Sequence, residues 1–132
     1  MKILIDSNVL FSAFISRGIC DEIVESVLTR HNLILCEEIL VELKKNLSKK
    51  AGVPDAVIEE YVKLLKINSV VHEPRDVDVN ACRDKHDLMV LGAADAGNAA
   101  VIITGDNDLL VIKSYKNISI ISPRGSMKLL KT

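Results

Sequence analysis

Tryptophan is absent, and aromatic residues make up only 3% of the 132 residues, as two Tyr and two Phe. That scarcity argues against a recognition surface of stacked rings, the usual platform for single-stranded bases. Cysteine is equally sparse. Cys20, Cys36 and Cys82 are odd in number and far apart, with no CxxC pair and no Cys/His grouping. Neither a disulfide framework nor a zinc site follows, and the thiols read as buried or half-buried side chains in a reducing compartment. Long apolar runs are missing too. The opening MKILIDSN is apolar for three residues before Asp6 ends it. That is too short for a signal-peptide core or a membrane span, so a cytoplasmic protein with no membrane contact is expected. Nor does one sign of charge dominate. Lys and Arg number 17 against 18 Asp and Glu, for a net charge of -1, which excludes a histone-like electrostatic binder.

What the chain does have is apolar substance, 48% hydrophobic with mean hydropathy +0.24, enough for a packed core. Four runs, Lys2–Ile5, Leu33–Cys36, Val101–Thr104 and Ile118–Ile121, are nearly continuous in apolar character. Such runs suit strands buried on both faces of a parallel sheet. Helical spacing joins them. Gly18–Arg30 carries Ile19, Ile23, Val24, Val27 and Leu28; Glu37–Lys49 carries Ile39, Leu40, Leu43 and Leu47. Pro54–Ile67 opens with a proline suited to a first turn and carries Val57, Ile58, Tyr61, Leu64 and Leu65. Asp87–Ala96 carries Leu88, Val90, Leu91 and Ala94. The order β-α-β-α-α-α-β-α-β is that of an α/β protein with helices on both sheet faces, forming one domain over residues 1–132. The polar stretch Glu73–Asn80 is the best loop candidate.

Ligands of open α/β sheets bind beyond the carboxyl ends of the strands. Acids gather there. The first strand ends in Asp6-Ser7-Asn8, the helix after the second carries Glu42, Asp84-Lys85-His86-Asp87 opens another helix, and the strand after it runs into Thr104-Gly105-Asp106-Asn107-Asp108. Clustered carboxylates repel, and a divalent cation is the usual compensation. Oxygen ligands without Cys or His select a hard ion, Mg²⁺ or Mn²⁺. Each residue also has a plainer use. Asp6 and Asn8 suit helix caps, Glu42 a solvated flank, Asp106 and Asp108 an Asx turn, and Thr104 a β-branched strand end. Of Asp84 and Asp87, one is expected to cap the helix, and Asp84 is assigned that role. Weight comes from their joint occurrence at strand ends.

The blocks ILIDSNVL, VELKK, RDKHDLMVLGAADAG and IITGDNDLL resemble, in order and spacing, the motifs of PIN domains. The resemblance spans essentially the whole chain and is closest to single-domain, VapC-like members regarded as toxins of toxin–antitoxin pairs. It implies a three-layer α/β/α sandwich around a parallel sheet of four or five strands, frequent homodimers, a cognate antitoxin, and Mg²⁺- or Mn²⁺-dependent cleavage of single-stranded RNA. The family's four acidic positions fall on Asp6, Glu42, Asp87 and Asp106. Asp108 matches an accessory acid, and Asn8 and Thr104 match polar residues that support the site. The resulting expectation is a metal held by Asp6, Asp87, Asp106 and Asp108, with Glu42 handling the attacking water.

With Asp6, Glu42, Asp87, Asp106 and Asp108 set aside, the bases outnumber the remaining acids, which suits a polyanionic substrate. Lys44, Lys45, Lys49 and Lys50 could track phosphates, although a solvated face is the simpler reading. Arg124, Lys128 and Lys131 form a basic tail too sparse to assign. His31, His72 and His86 share no ligand spacing, and His86 is expected to be exposed. The Pro54–Ile67 helix reads as core-facing first and as a dimer surface second. Two rivals remain: a phosphatase or receiver domain that would phosphorylate Asp6, and a non-catalytic RNA- or partner-binding module.

Overall fold

The computed structural model describes residues 1–130, so Lys131 of the basic tail lies outside the described residues. The chain runs through β1 (Lys2–Ile5), α1 (Ser7–Ile15), α2 (Ile19–Arg30), β2 (Asn32–Leu35), α3 (Glu37–Lys49), α4 (Asp55–Ile67) and β3 (Ser69–Val71). It continues through α5 (Lys85–Ala96), β4 (Val101–Ile103), α6 (Asn107–Leu110), β5 (Ser114–Tyr115), β6 (Ile118–Ile121) and α7 (Pro123–Leu130). The six strands form one sheet in the order β3-β2-β1-β4-β6-β5, parallel except for β5 against β6.

The central strands explain the layers. Ile3, Leu4 and Ile5 of β1 are all fully buried, as are Ile102 and Ile103 of β4. Successive side chains point to opposite faces, so both faces of the sheet are covered. The crossovers β1–β2 and β2–β3 step one way across the sheet and β3–β4 steps back past β1. A constant right-handed connection therefore puts α1 to α4 on one face and α5 on the other. Helix packing agrees, since α1 contacts α2 and α3, α3 contacts α4, and α2 contacts α7. The expected α/β/α sandwich is thus present.

Four elements depart from the sequence expectation. The segment between β1 and β2 holds two helices rather than one. In α1 the sequence SNVLFSAFI is apolar on nearly every side, with Phe11 and Phe14 half-buried beside buried Val9 and Leu10, so it has no polar stripe to announce a helix. The sheet has six strands, not four or five, because β3 and β5 are added at its edges with three and two residues. Strands that short carry no readable period. The fourth is α7, which begins at Pro123, a residue suited to a first turn, and buries Ser126 and Leu130. The Pro54–Ile67 stripe is also narrower than expected, for Ile58 and Leu65 are buried while Val57 and Leu64 are exposed.

The loop between β3 and α5 has no regular structure across Glu73–Asn80, as expected. It is fastened to α5 where the helix has no side chain. Arg75 N–H donates to the Gly92 carbonyl at 3.0 Å, and a Cβ at Gly92 would meet the Arg75 carbonyl oxygen at 2.3 Å. A close backbone approach of this kind admits only glycine.

Candidate metal centre

The sheet register brings the first two site residues together. Ile5 of β1 stands beside Ile103 of β4, so Asp6 and Thr104, each one residue further on, lie abreast at the carboxyl edge. Asp6 N–H donates to the Ile103 carbonyl at 3.0 Å and extends the ladder by one bond. Both side chains are fully buried. Thr104 Oγ1 donates to Asp6 Oδ2 at 2.8 Å and accepts from Asp106 N–H at 3.0 Å, tying two acids separated by 100 positions to one hydroxyl. Asn8 Nδ2 donates to Asp6 Oδ2 at 3.2 Å, and Asn8 Oδ1 accepts from Gly105 N–H at 2.8 Å. Asp6 is also the N-cap of α1, since its Oδ1 accepts from Ser7 N–H at 2.7 Å. The cap and the site are one arrangement.

The helix termini place the other acids. Asp84 caps α5 by accepting from His86 N–H at 2.9 Å, which leaves Asp87 free of that duty, as assigned from sequence. Asp106 caps α6 by accepting from Asp108 N–H at 2.9 Å. Carboxylate oxygens of Asp87, Asp106 and Asp108 lie within 4.8 Å of one another. Asp108 is half-exposed and pairs with Arg83 Nη2 at 3.3 Å.

Asp87 is the anomaly. It is fully buried, and among the described residues no donor reaches either carboxylate oxygen. Burial first, then a hydrogen bond that the protonated acid gives the Asp106 carboxylate together with that group's charge, pushes its pKa from 3.8 up to about 8. A buried polar group without a donor is costly unless something absent from the protein chain satisfies it. The donor set is all carboxylate oxygen, which fits a hard divalent ion held by Asp87, Asp106 and Asp108.

Asp6 and Glu42 are joined by a residue whose role the sequence did not reveal. His86, expected to be exposed, has a side chain only 20% exposed, with Nε2 3.2 Å from Asp6 Oδ1 and Nδ1 2.7 Å from Glu42 Oε2. The hydrogen bond to Asp6 is the main cause that pushes the His86 pKa up to about 9. The missed signal was positional, because the residue before Asp87 in the first turn of α5 faces the same rim. Further along α3, Glu42, Lys45, Asn46 and Lys50 line one groove, whereas Lys44 turns to Glu59 at 3.7 Å. Cys36 is buried, Cys20 and Cys82 are half-buried, and all three are free thiols.

A family model described as PIN domain matches residues 2–108. No curated protein matches the chain. Among solved structures, VapBC2 from Rickettsia felis, bound to a DNA fragment from its promoter, superimposes with TM-score 0.66 at 13% identity, covering 92% of this chain and 98% of that one. PAE2754 from Pyrobaculum aerophilum superimposes with TM-score 0.69 at 20% identity, covering 99% and 90%. At such identities the shared property is the fold.

Proposed function

The chain belongs to the PIN domain family, and from that premise we propose a divalent-metal-dependent endoribonuclease that hydrolyses phosphodiester bonds of single-stranded RNA. The observation that carries the reading is Asp87, whose carboxylate is buried with no donor among the described residues and lies within 4.8 Å of Asp106 and Asp108.

In this reading Asp87, Asp106 and Asp108 would hold Mg²⁺ or Mn²⁺, and Asp6 would add a ligand directly or through ordered water. When bound, the ion would supply a Lewis-acidic charge to the phosphodiester. The remaining work belongs to the chain. Thr104 and Asn8 fix the rotamer of Asp6, and Thr104 also fixes the backbone at Asp106. Glu42, with a side chain 39% exposed, reaches solvent and accepts the proton of the attacking water. Water attack needs no sugar hydroxyl, so the products carry a 5′-phosphate and a 3′-hydroxyl. A phosphoacceptor role for Asp6 fits poorly, because Ser7, Asn8, Thr104 and His86 already occupy its two oxygens.

The proposal extends to a single domain over residues 1–132, a toxin–antitoxin pairing, a homodimer and a cytoplasmic setting. Among the described residues no helix is long and apolar enough to cross a membrane. Exposed Leu64, Ile67, Val70 and Val71, on α4 and edge strand β3, supply apolar surface for a protein partner. The test is cleavage of an unstructured RNA with Mn²⁺, alongside chelator and Asp6→Asn controls, with end groups identified. Cleavage that survives both controls overturns the reading.

A further inference from the structure

The sheet sets an order along the rim. Strands β2, β1 and β4 are neighbours, so Glu42, after β2, stands at one end, Asp6, after β1, in the middle, and Asp106 and Asp108, after β4, at the other. At the Asp108 end the surface opens into a groove of about 410 Å³, within the size range of small-ligand sites. The loop before α5 contributes Val79, Asn80 and Arg83 to it, and the end of α6 contributes Val111 and Ile112. Among the described residues the two most exposed large apolar side chains are Val79, at 73%, and Val111, at 72%, and both line this one groove. Asn80 donates its backbone N–H to Asp78 Oδ1 at 2.9 Å, which fixes the loop tip and leaves its side-chain amide to solvent. Arg83 is 90% exposed and joins the groove to the acid cluster through Asp108 at 3.3 Å.

We propose that this groove seats the nucleobase on the 5′ side of the cut. This rests on the nuclease reading above. As the water oxygen bonds to phosphorus its proton passes to Glu42, the bond from phosphorus to the 3′-oxygen breaks, and that oxygen takes a proton from solvent. Attack and departure lie in line across the phosphorus. Water entering from the Glu42 end therefore expels the 3′-oxygen toward the Asp108 end, and the nucleoside that carries it is delivered to the groove. Val79 and Val111 cover the faces of its base, and the Asn80 amide, both donor and acceptor, meets its edge. Arg83 offsets the charge of the adjoining phosphate. In a chain with so few rings, aliphatic side chains supply the apolar grip that stacked aromatics give elsewhere.

Photo-crosslinking locates the base without any need for cleavage. Oligouridine carrying photoreactive thiouridine, bound to the full chain with Ca²⁺ in place of Mn²⁺, should crosslink to the 79–83 loop or to Val111 and Ile112. The double variant Val79→Ser/Val111→Ser, its fold checked by circular dichroism, should bind the same RNA about tenfold more weakly. Sequenced product ends from a random RNA pool cut in Mn²⁺ should show a base preference at the first nucleotide 5′ of the cut. Asn80→Ala and the double variant should flatten it and leave any preference 3′ of the cut in place. Crosslinks absent from the groove, no preference at that position, or a preference that survives in both variants overturns the base seat while the nuclease reading stands. A wild-type dimer that the double variant dissociates in analytical ultracentrifugation also overturns it, because the groove is then an interface between copies. Wild-type protein that does not cut RNA in Mn²⁺ overturns the nuclease reading itself.

Discussion

Replacing Asp87 by Asn removes a charge from the place where the fold tolerates it least. The carboxyl has no exposed surface and no donor, and its pKa rises from 3.8 to about 8. A folded value above the unfolded one means that the native protein keeps a proton the unfolded chain releases. Stability therefore falls as pH climbs from about 4 to about 8. At pH 7 the gap corresponds to at most about 4 kcal/mol, at 1.36 kcal/mol per pKa unit. Part of that belongs to Asp106, so the expected gain of Asp87→Asn in chelator at pH 7 is about 1–3 kcal/mol. In thermal terms this is roughly 3–10 °C in Tm for a chain of this size, shrinking toward zero near pH 4. Scanning calorimetry across that pH range reads the effect. Adding Mn²⁺ should reverse the order, raising the Tm of the wild type more than that of the variant, and RNA cleavage by the variant should be lost. A variant less stable than wild type in chelator at pH 8, or a gain that ignores pH, refutes the reasoning.

Thr104→Val deletes the hydroxyl that serves both Asp6 and Asp106; denaturant unfolding should show a loss of about 1–3 kcal/mol, with Thr104→Ser restoring most of it. Gly92→Ala drives a methyl to 2.3 Å from the Arg75 carbonyl, so about 1–3 kcal/mol of stability should go, and the 73–80 loop should become more sensitive to protease. A wild-type-like variant would show that the loop is not fastened there. For His86 the folded pKa of about 9 lies above the ordinary 6.5. Its bridge thus contributes fully below about pH 6.5 and is lost as pH passes about 9. Imidazole signals followed by NMR without metal should titrate near 9, and a midpoint near 6.5 would contradict the bridge to Asp6 and Glu42.

The sequence showed most where burial dictates composition. The runs at Ile3–Ile5 and Val101–Ile103 are apolar because both sheet faces press on them; the first was read with its end at Asp6, whereas the run read as Val101–Thr104 gives up Thr104, whose hydroxyl turns to Asp6 instead. Capping chemistry said that one of Asp84 and Asp87 would cap the helix, and Asp84, the residue assigned to it, does so. Other features were hidden for physical reasons. Strands β3 and β5 are too short to show a period, and α1 is apolar on too many sides to show a stripe. His86 was misplaced because a histidine in a polar run carries no mark of its neighbours. Only folding brings Asp6, 80 positions away, and Glu42 to its ring. The lack of a donor at Asp87 is likewise a property of packing, invisible in a string of residues.

The central claim is that Asp87, Asp106 and Asp108 make a pocket completed by a hard divalent ion. Anomalous diffraction from crystals soaked in Mn²⁺ tests it most directly. The account predicts a manganese peak within about 2.2 Å of oxygens from Asp87 and Asp106, absent from Asp87→Asn crystals. RNA cleavage by a protein whose crystals show no ion at that position would contradict it.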